Sequence, residues 1–407
     1  MHIRFAGLWR HRDFMKLWGG QAVSNLGSHV GGGALRFAAI LLLAATPWQL
    51  SLLAVAALLP TLLLSLFTGV LVDRVRRRPL LIGADLGRAL ALLMIPLAAM
   101  LGALRIEHLY AVAGITGALT MIFEIAYPAF LPTLIAREQL LEGNSKLAVS
   151  DSVAEIAGPP LGGLLVQLIS APLVLLVDAI SFVCSAVAFW RIRAVEPLAA
   201  KPAQQPKLRH ELSAGMRLVG GDAVLRALLG AAVTQNLAGN MIGVSYDLYL
   251  IRELGMSPAL VGLTIGVGGV GALFGALLAE RVVARFGLGP TLIGTMAIAA
   301  CGLLIPLAGG PLFVALPMVL LAQLADVAIA IAAINVLSLR QITTPDGRLG
   351  QVNASFTLLV TAASVIGALL GGALGQAIGL RATITLGVIG VTAAVVWIIR
   401  SPIRSLH

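Results

Sequence analysis

Three observations predict an all-α membrane protein of twelve transmembrane helices in two pseudo-symmetric six-helix bundles: composition, the number of apolar spans, and an internal repeat. Of 407 residues, 59% are apolar and 11% charged, where soluble globular proteins carry about 45–50% and about 25%. A mean hydropathy of +0.98 excludes an ordinary soluble enzyme. It calls instead for helices of about 20 residues, the length that crosses a hydrocarbon core of about 30 Å. Cutting at charged and Pro- or Gly-containing breaks gives twelve spans, roughly 14–43, 48–72, 80–102, 109–136, 146–169, 173–190, 222–250, 258–282, 289–308, 312–339, 350–378 and 382–400.

The repeat divides these spans six and six. Asn144 and Asn353 each open a span after a charged loop, and each is followed by a Gly-Gly pair, Gly162-Gly163 and Gly371-Gly372; 353 − 144 and 371 − 162 both equal 209. Gly69 and Gly275, each near the end of a span, lie at nearly the same shift. Two homologous halves in parallel orientation follow. Between them Arg191 to Arg217, with Pro197, Pro202, Pro206, Lys201, Lys207 and Arg209, reads as a polar cytoplasmic linker. The expected division is therefore a bundle over 1–192, a linker over 193–220 and a second bundle over 221–407.

Charge sets the orientation. The net charge of +10, from 28 Lys and Arg against 18 Asp and Glu, is concentrated at span ends, so it is a topology signal and nucleic acid is not expected as a partner. With the N-terminus in the cytoplasm, Arg74, Arg76, Arg77, Arg78, Arg137, Lys146, Arg281, Arg285, Arg340, Arg348, Arg400 and Arg404 fall inside and only Arg105, Arg252 and Arg381 outside. That asymmetry places both termini in the cytoplasm. The first residues lack the short apolar region and cleavage site of a signal peptide, so the N-terminus is expected to be retained. Cys184 and Cys301 lie inside apolar segments without metal-ligand neighbours, and no disulfide framework is expected.

Two motifs carry a family resemblance. The loop after the second span reads Gly69-Val70-Leu71-Val72-Asp73-Arg74-Val75-Arg76-Arg77-Arg78. It resembles the Gly-x-x-x-Asp-Arg-x-Gly-(Arg/Lys)-(Arg/Lys) signature of the major facilitator superfamily at every position but one, where Arg76 replaces the second glycine. A small Gly69 lets two helices approach, Asp73 can cap a neighbouring helix, and the arginines anchor the cytoplasmic surface. The fifth span carries Gly158-Pro159-Pro160-Leu161-Gly162-Gly163, similar to the Gly-Pro-x-x-Gly-Gly element of proton-driven exporters of that superfamily. Proline deletes a helix hydrogen bond, and clustered glycines permit tight packing. Pro128 to Ile135, Asn144-Ser145 and Asp178-Ala179-Ile180-Ser181-Phe182 resemble the branch containing enterobactin exporters and macrolide efflux proteins. The fourth span lacks the superfamily's usual arginine.

The resemblance implies the major facilitator fold in a bacterial inner membrane. It also implies alternating access and proton-coupled export, as an antiporter, of a hydrophobic or amphipathic small molecule such as a drug, macrolide or siderophore. Proton-coupled import of a small nutrient and translocation of lipid are the alternatives. The expected partners are the small-molecule substrate, protons and the lipid bilayer, with a monomeric chain. Gly69, Asp73, Arg74, Arg77 and Arg78 would form a gating motif, Asp73 meeting the cytoplasmic end of span 11 near Asn353. Gly158, Pro159, Gly162 and Gly163 would form an interface motif.

Ionisable residues inside spans are the functional candidates, because a charge at the bilayer centre costs about 2.5–3.5 kcal/mol unless it faces a cavity or partner. Glu124, mid-span among Met121, Ile122, Phe123, Ile125 and Ala126, is the first candidate for proton coupling, since desolvation disfavours a charged carboxylate. Asp326, at comparable depth in span 10, and Glu155 follow. Arg36 is the expected counter-charge of Glu124. In the family fold helices 1, 4, 7 and 10 line a central cavity, and the resemblance implies that Arg36, Glu124, Gln235, Asn240 and Asp326 lie there; Arg36, Gln235, Asn240, Asp247 and Gln323 are the candidates for contact with substrate. Asp151, Glu155, Gly158 and Gly162 recur at spacings of four, three and four and share one face. That face is expected to meet span 8, with Asp151 in reach of Arg281. Asp85 and Arg88, three apart, are expected to pair, and Asp178 to be structural.

Other strings point away from chemistry. Gly266-Val267-Gly268-Gly269-Val270-Gly271 matches a dinucleotide fingerprint as a string but lies inside an apolar span, where glycines serve packing. Gly367, Gly371, Gly375 and Gly379 recur every four residues and read as a close helix contact. None of the four lysines follows a glycine, so there is no phosphate-binding loop of the Gly-Lys-(Ser/Thr) type, and His-Glu-x-x-His is absent. The histidines His2, His11, His29, His108, His210 and His407 are scattered, which argues against a membrane-embedded lipid-modifying enzyme. No enzyme activity, cofactor or metal is expected.

Overall fold

A computed structural model describes residues 7–72, 75–193 and 208–406, the side chains of 64–72 and 208–212 excepted. Among the described residues every regular element is helical. By internal contacts the chain divides into two compact units. One comprises Met1–Ala44, Leu59–Gln204 and Pro258–Gly262; the other comprises Ala45–Leu58, Gln205–Ser257 and Leu263–His407.

In the first unit α1 (Arg12–Gly31) begins at His11, whose Nδ1 accepts from the Phe14 N–H at 3.1 Å. Gly32 and Gly33 lead into the short α2 (Ala34–Phe37), followed by a π-helical turn over Ala38–Leu42. The later part of α3 (Pro47–Val72), then α4 (Arg77–Met100), α5 (Ile106–Leu134), α6 (Leu140–Ile169) and α7 (Ala171–Arg191) complete the unit. Small residues decide the packing of α1. A Cβ at Gly20, Gly27 or Gly31 would collide with Ala188, Ser181 or Asp178 of α7. On its other flank α1 meets α6, where a Cβ at Gly158 or Gly162 would collide with His29 or with the backbone of Val30. A core of Phe14, Leu17, Leu81, Phe130 and Phe189 lies among these helices. Phe123 and Phe130 each set a ring edge-on to Phe189 at 5.9 Å, a geometry worth about 0.5–1.5 kcal/mol per pair beyond burial.

The second unit begins with the first part of α3 and continues through α8 (Leu208–Gly221) and α9 (Ala223–Arg252). Asp222 caps α9 by accepting from the N–H groups of Val224 at 2.8 Å and Leu225 at 2.9 Å. Then come α10 (Pro258–Phe286), α11 (Leu288–Ile298), a 3-10 turn over Ala299–Leu303, α12 (Leu304–Leu307), α13 (Leu312–Gln323) and α14 (Ala325–Thr343). The last three are α15 (Leu349–Ala377), α16 (Leu380–Ala393) and α17 (Val395–Ile399). The glycine stripe of α15 meets α9: a Cβ at Gly367 would strike the backbone of Leu237, and one at Gly371 that of Met241. Gly379 leaves the stripe. It precedes α16 with φ +88, a left-handed conformation that glycine adopts without a Cβ penalty.

Two differences from the sequence reading have physical reasons. Among the described residues nine helical stretches are long and apolar enough to cross a membrane by length and composition. The helices over the predicted spans 1, 2 and 7 are outside that set. Two of them, α1 and α9, carry the amide and hydroxyl side chains Gln21, Ser24, Asn25, Gln235, Asn236 and Asn240, while α3 is apolar over Pro47–Leu63. By contacts, residues 45–58 group with the second unit and 258–262 with the first. Finally, the stretch expected as a linker becomes helical from Leu208, past its last proline, and Gly215 packs against Gln351 and Ser355 of α15.

Candidate functional site

Gln21, Ser24, Asn25 and Ser28 recur along α1 at spacings of three, one and three, which puts them on one helix face. With α4, α5 and α6 that face encloses a cavity of about 460 Å³ inside the first unit. Its ionisable groups are His29 of α1, Arg88 of α4, Glu124 of α5 and Asp151 of α6. Arg88 is only 5% exposed. Its guanidinium lies between the rings of Phe123, at 4.5 Å, and Phe182, at 4.1 Å. It forms an ion pair with the fully buried Asp85, and its Nη1 donates to Thr120 Oγ1 at 3.4 Å. Asp178 and Glu124 also act on Arg88 electrostatically. A cation stripped of water gains about 2 kcal/mol or more from aromatic faces, and its carboxylate partner offsets part of the desolvation of the pair.

Asp151 accepts from Asn25 Nδ2 at 3.2 Å and lies 3.6 Å from His29 Nε2. The aromatic wall is Phe123 stacked on Tyr127, with ring centroids 5.6 Å apart. Glu124 is exposed on the cavity wall rather than enclosed by its apolar neighbours in sequence. Four carboxylates, Asp85, Glu124, Asp151 and Asp178, thus surround one arginine and one histidine. Such a set can exchange protons and can hold a polar or cationic group against an aromatic surface.

A second polar cluster lies in the second unit, where Gln323 and Asp326 flank the interruption between α13 and α14 at Leu324. Gln323 Nε2 donates to the Thr264 carbonyl at 3.1 Å, and Tyr246 bonds the Thr264 hydroxyl at 3.2 Å. The Asp326 carboxylate occupies the space beside Gly268 that a Cβ would need. Buried Asp247 and Asp326 both act electrostatically on Tyr246. Gln323, Asp326 and Asp247 therefore belong to one neighbourhood. Asn240 donates back to the Asn236 carbonyl of its own helix at 2.9 Å, and Gln235 is half-buried further along α9.

The remaining expected residues are dispersed. Glu155 is exposed on α6 one turn beyond Asp151, and Arg36 is exposed on α2. Arg88 acts electrostatically on Glu124. Asp151 meets Asn25 and His29. Gly158 and Gly162 face α1; the contact with the start of α10 is made by Gly163, against Pro258 and Ala259, and by Pro159, against Gly262. Asp73 and Arg74 lie outside the described residues, and Gly69 lies within α3. Arg77 opens α4. Arg78 donates from Nε to the Phe189 carbonyl at 2.9 Å and from Nη2 to that of Trp190, closing the C-terminal end of α7.

Residues 4–407 match the profile of a family described as transmembrane secretion effector. The chain belongs to that family. It is similar to an uncharacterized MFS-type transporter, YfiS of Bacillus subtilis strain 168, at 27% identity over 378 residues, 90% of this chain and 88% of that one. It is also similar to macrolide efflux protein A of Streptococcus pyogenes, at 26% over 268 residues, 65% of each chain. Among solved structures, a bacterial homologue of the iron transporter ferroportin superposes with a TM-score of 0.76 at 21% identity, covering 96% of this chain and 98% of that one. The nucleoside transporter NupG superposes at 0.74 and 11% identity, covering 95% and 97%. These likenesses show the fold alone. The chain is a multi-pass membrane transporter of the MFS type, and its family and fold are those of transporters.

In this transporter the sequence reading missed His29, Asn25 and Tyr127 as site residues and took Arg88 only as the partner of Asp85. One signal was present: the amide and hydroxyl residues of span 1 recur at helical spacing, which marks a face turned from lipid. The position of His29 near the end of that span hid it.

Proposed function

We propose that the chain is a proton-coupled secondary exporter of a hydrophobic or amphipathic small molecule, an antiporter working by alternating access. Its twelve spans form two six-helix bundles, 1–192 and 221–407, with both termini in the cytoplasm of a bacterial cell. The observation that carries this reading is the cavity of the first unit, in which Glu124, Asp151 and His29 share one space with the faces of Phe123 and Tyr127. Walls that set the rings of Phe123 and Tyr127 among polar and charged side chains suit a small amphipathic ligand. Membrane-depth carboxylates that reach water suit proton exchange. The family and the likeness to a macrolide efflux protein favour export over uptake.

Within this reading Glu124 carries the coupling proton, ahead of Asp326 and Glu155. Arg36, Gln235, Asn240, Asp247 and Gln323 contact substrate along its route. Gly69, Asp73, Arg74, Arg77 and Arg78 act in gating. The test is an efflux panel of macrolides, lipophilic dyes and siderophores in a host stripped of its own exporters. Cells expressing the chain should accumulate less of at least one amphipathic compound, and a protonophore should abolish the difference. Equal accumulation of every compound, with faster uptake of a polar nutrient, would reverse the direction proposed.

A further inference from the structure

The end of the first unit where α1 begins and α7 ends holds a second cavity, of about 690 Å³, lined by His11, Arg12, Asp13, Lys16, Arg191 and Arg193. Four permanent cations face one carboxylate there, and that carboxylate is already engaged. Asp13 Oδ1 accepts from Lys16 Nζ at 2.7 Å, and Oδ2 accepts from the Arg193 N–H at 3.1 Å. Lys16 Nζ also donates to the Arg191 carbonyl at 2.8 Å. These bonds tie the two helix ends together. Arg12, Arg191 and Arg193, all exposed, remain as excess positive charge on the lining.

The cavity also sits at the end of an apolar stripe. Along α7 the side chains of Val177, Ile180, Val183, Val187 and Trp190 are exposed, and their spacings of three, three, four and three keep them on one face. At 1.5 Å per residue the helix spans about 31 Å, close to a hydrocarbon core of about 30 Å, so its last turn reaches headgroup depth. Trp190, 69% exposed, has the amphipathic ring that concentrates at that depth. A single ligand matching both features needs an anionic head and an apolar tail.

We propose that this end of the first unit binds an anionic phospholipid, with its phosphate at Arg12, Arg191 and Arg193 and an acyl chain along Val183, Val187 and Trp190. Guanidinium forks match phosphate oxygens bidentately. A zwitterionic lipid brings its own cation and gains less. Because α1 also carries the Gln21 to His29 face of the functional cavity, a lipid bound at its N-terminal end holds the helix on which that cavity is built. The inference does not depend on what is transported or on proton coupling.

The experiment uses the purified full-length chain in detergent, with bound lipid read by native mass spectrometry and stability by the thermal midpoint. The wild type should retain phosphatidylglycerol in preference to phosphatidylcholine and be stabilised by it. A basic residue near an anionic surface is worth about fivefold in affinity, so the triple variant Arg12→Gln, Arg191→Gln, Arg193→Gln should lose on the order of a hundredfold of that preference. Arg193→Gln alone should lose about fivefold, which keeps the test decisive if the triple variant does not fold. Quenching by brominated phosphatidylglycerol should fall in Trp190→Phe. Three results would overturn the proposal: unchanged selectivity in Arg193→Gln, an equal loss in the second-unit pair Arg217→Gln, Arg348→Gln, or stabilisation by inorganic phosphate alone equal to that by the lipid.

Discussion

Arg88 shows how much a single residue controls in the first unit. Its partner Asp85 is fully buried, and removing one member of a buried pair typically costs about 3–5 kcal/mol because the other charge is left uncompensated. Arg88→Leu is therefore expected to lower the thermal midpoint in detergent steeply, and adding Asp85→Leu should recover most of the loss. Equal midpoints for the single and double variants would mean that the pair is not what the site rests on. Glu124 calls for a different measurement. Glu124→Gln keeps the size and removes titration, so substrate binding should survive while transport loses its response to an imposed pH gradient. The Asp85–Arg88 pair was legible in the sequence, because three-residue spacing on one helix fixes proximity. The action of Arg88 on Glu124 was not, since contact across helices depends on which faces meet.

At the scale of elements, glycines announce a close approach without naming the neighbour. The stripe Asp151, Glu155, Gly158, Gly162 was readable from its spacing, yet the helix expected against it was span 8. The structure puts His29 and Val30 of α1 there, and only the adjoining Pro159 and Gly163 meet the start of α10. Gly162→Leu should force α6 away from the Val30 backbone. Overpacking of this kind costs about 1–3 kcal/mol, so the variant should reach the membrane, melt earlier and lose transport, as read by a thermal scan beside an efflux assay. Wild-type melting and transport would show that α6 can yield without consequence. Gly367 and Gly371 offer the same experiment in the second unit, where leucine should part α15 from α9. Helix ends were the most legible feature, because charges, prolines and glycines punctuate the sequence where helices leave the apolar layer. The helix over Leu208–Gly221 was not legible, since a basic, Pro-rich approach masked it.

For the whole molecule, the proposed topology has an even number of spans with both termini on the cytoplasmic face. Reporter fusions or engineered cysteines at the two ends should be modified from the cytoplasmic side only, and opposite labelling of the two ends would require an odd number. The spans hardest to justify by hydropathy, 1 and 7, carry the amides and hydroxyls that a transport route needs, so the features that weaken a membrane signal are those that support the functional reading. The central claim is coupling of substrate exit to proton entry. Its most direct measurement is flux in proteoliposomes holding the purified chain, with an imposed pH gradient and with internal pH and a labelled macrolide followed together. The macrolide should move against its own gradient while protons move the opposite way, and a protonophore should stop both. Macrolide movement at full rate with the gradient collapsed, and no accompanying change in internal pH, would contradict that coupling.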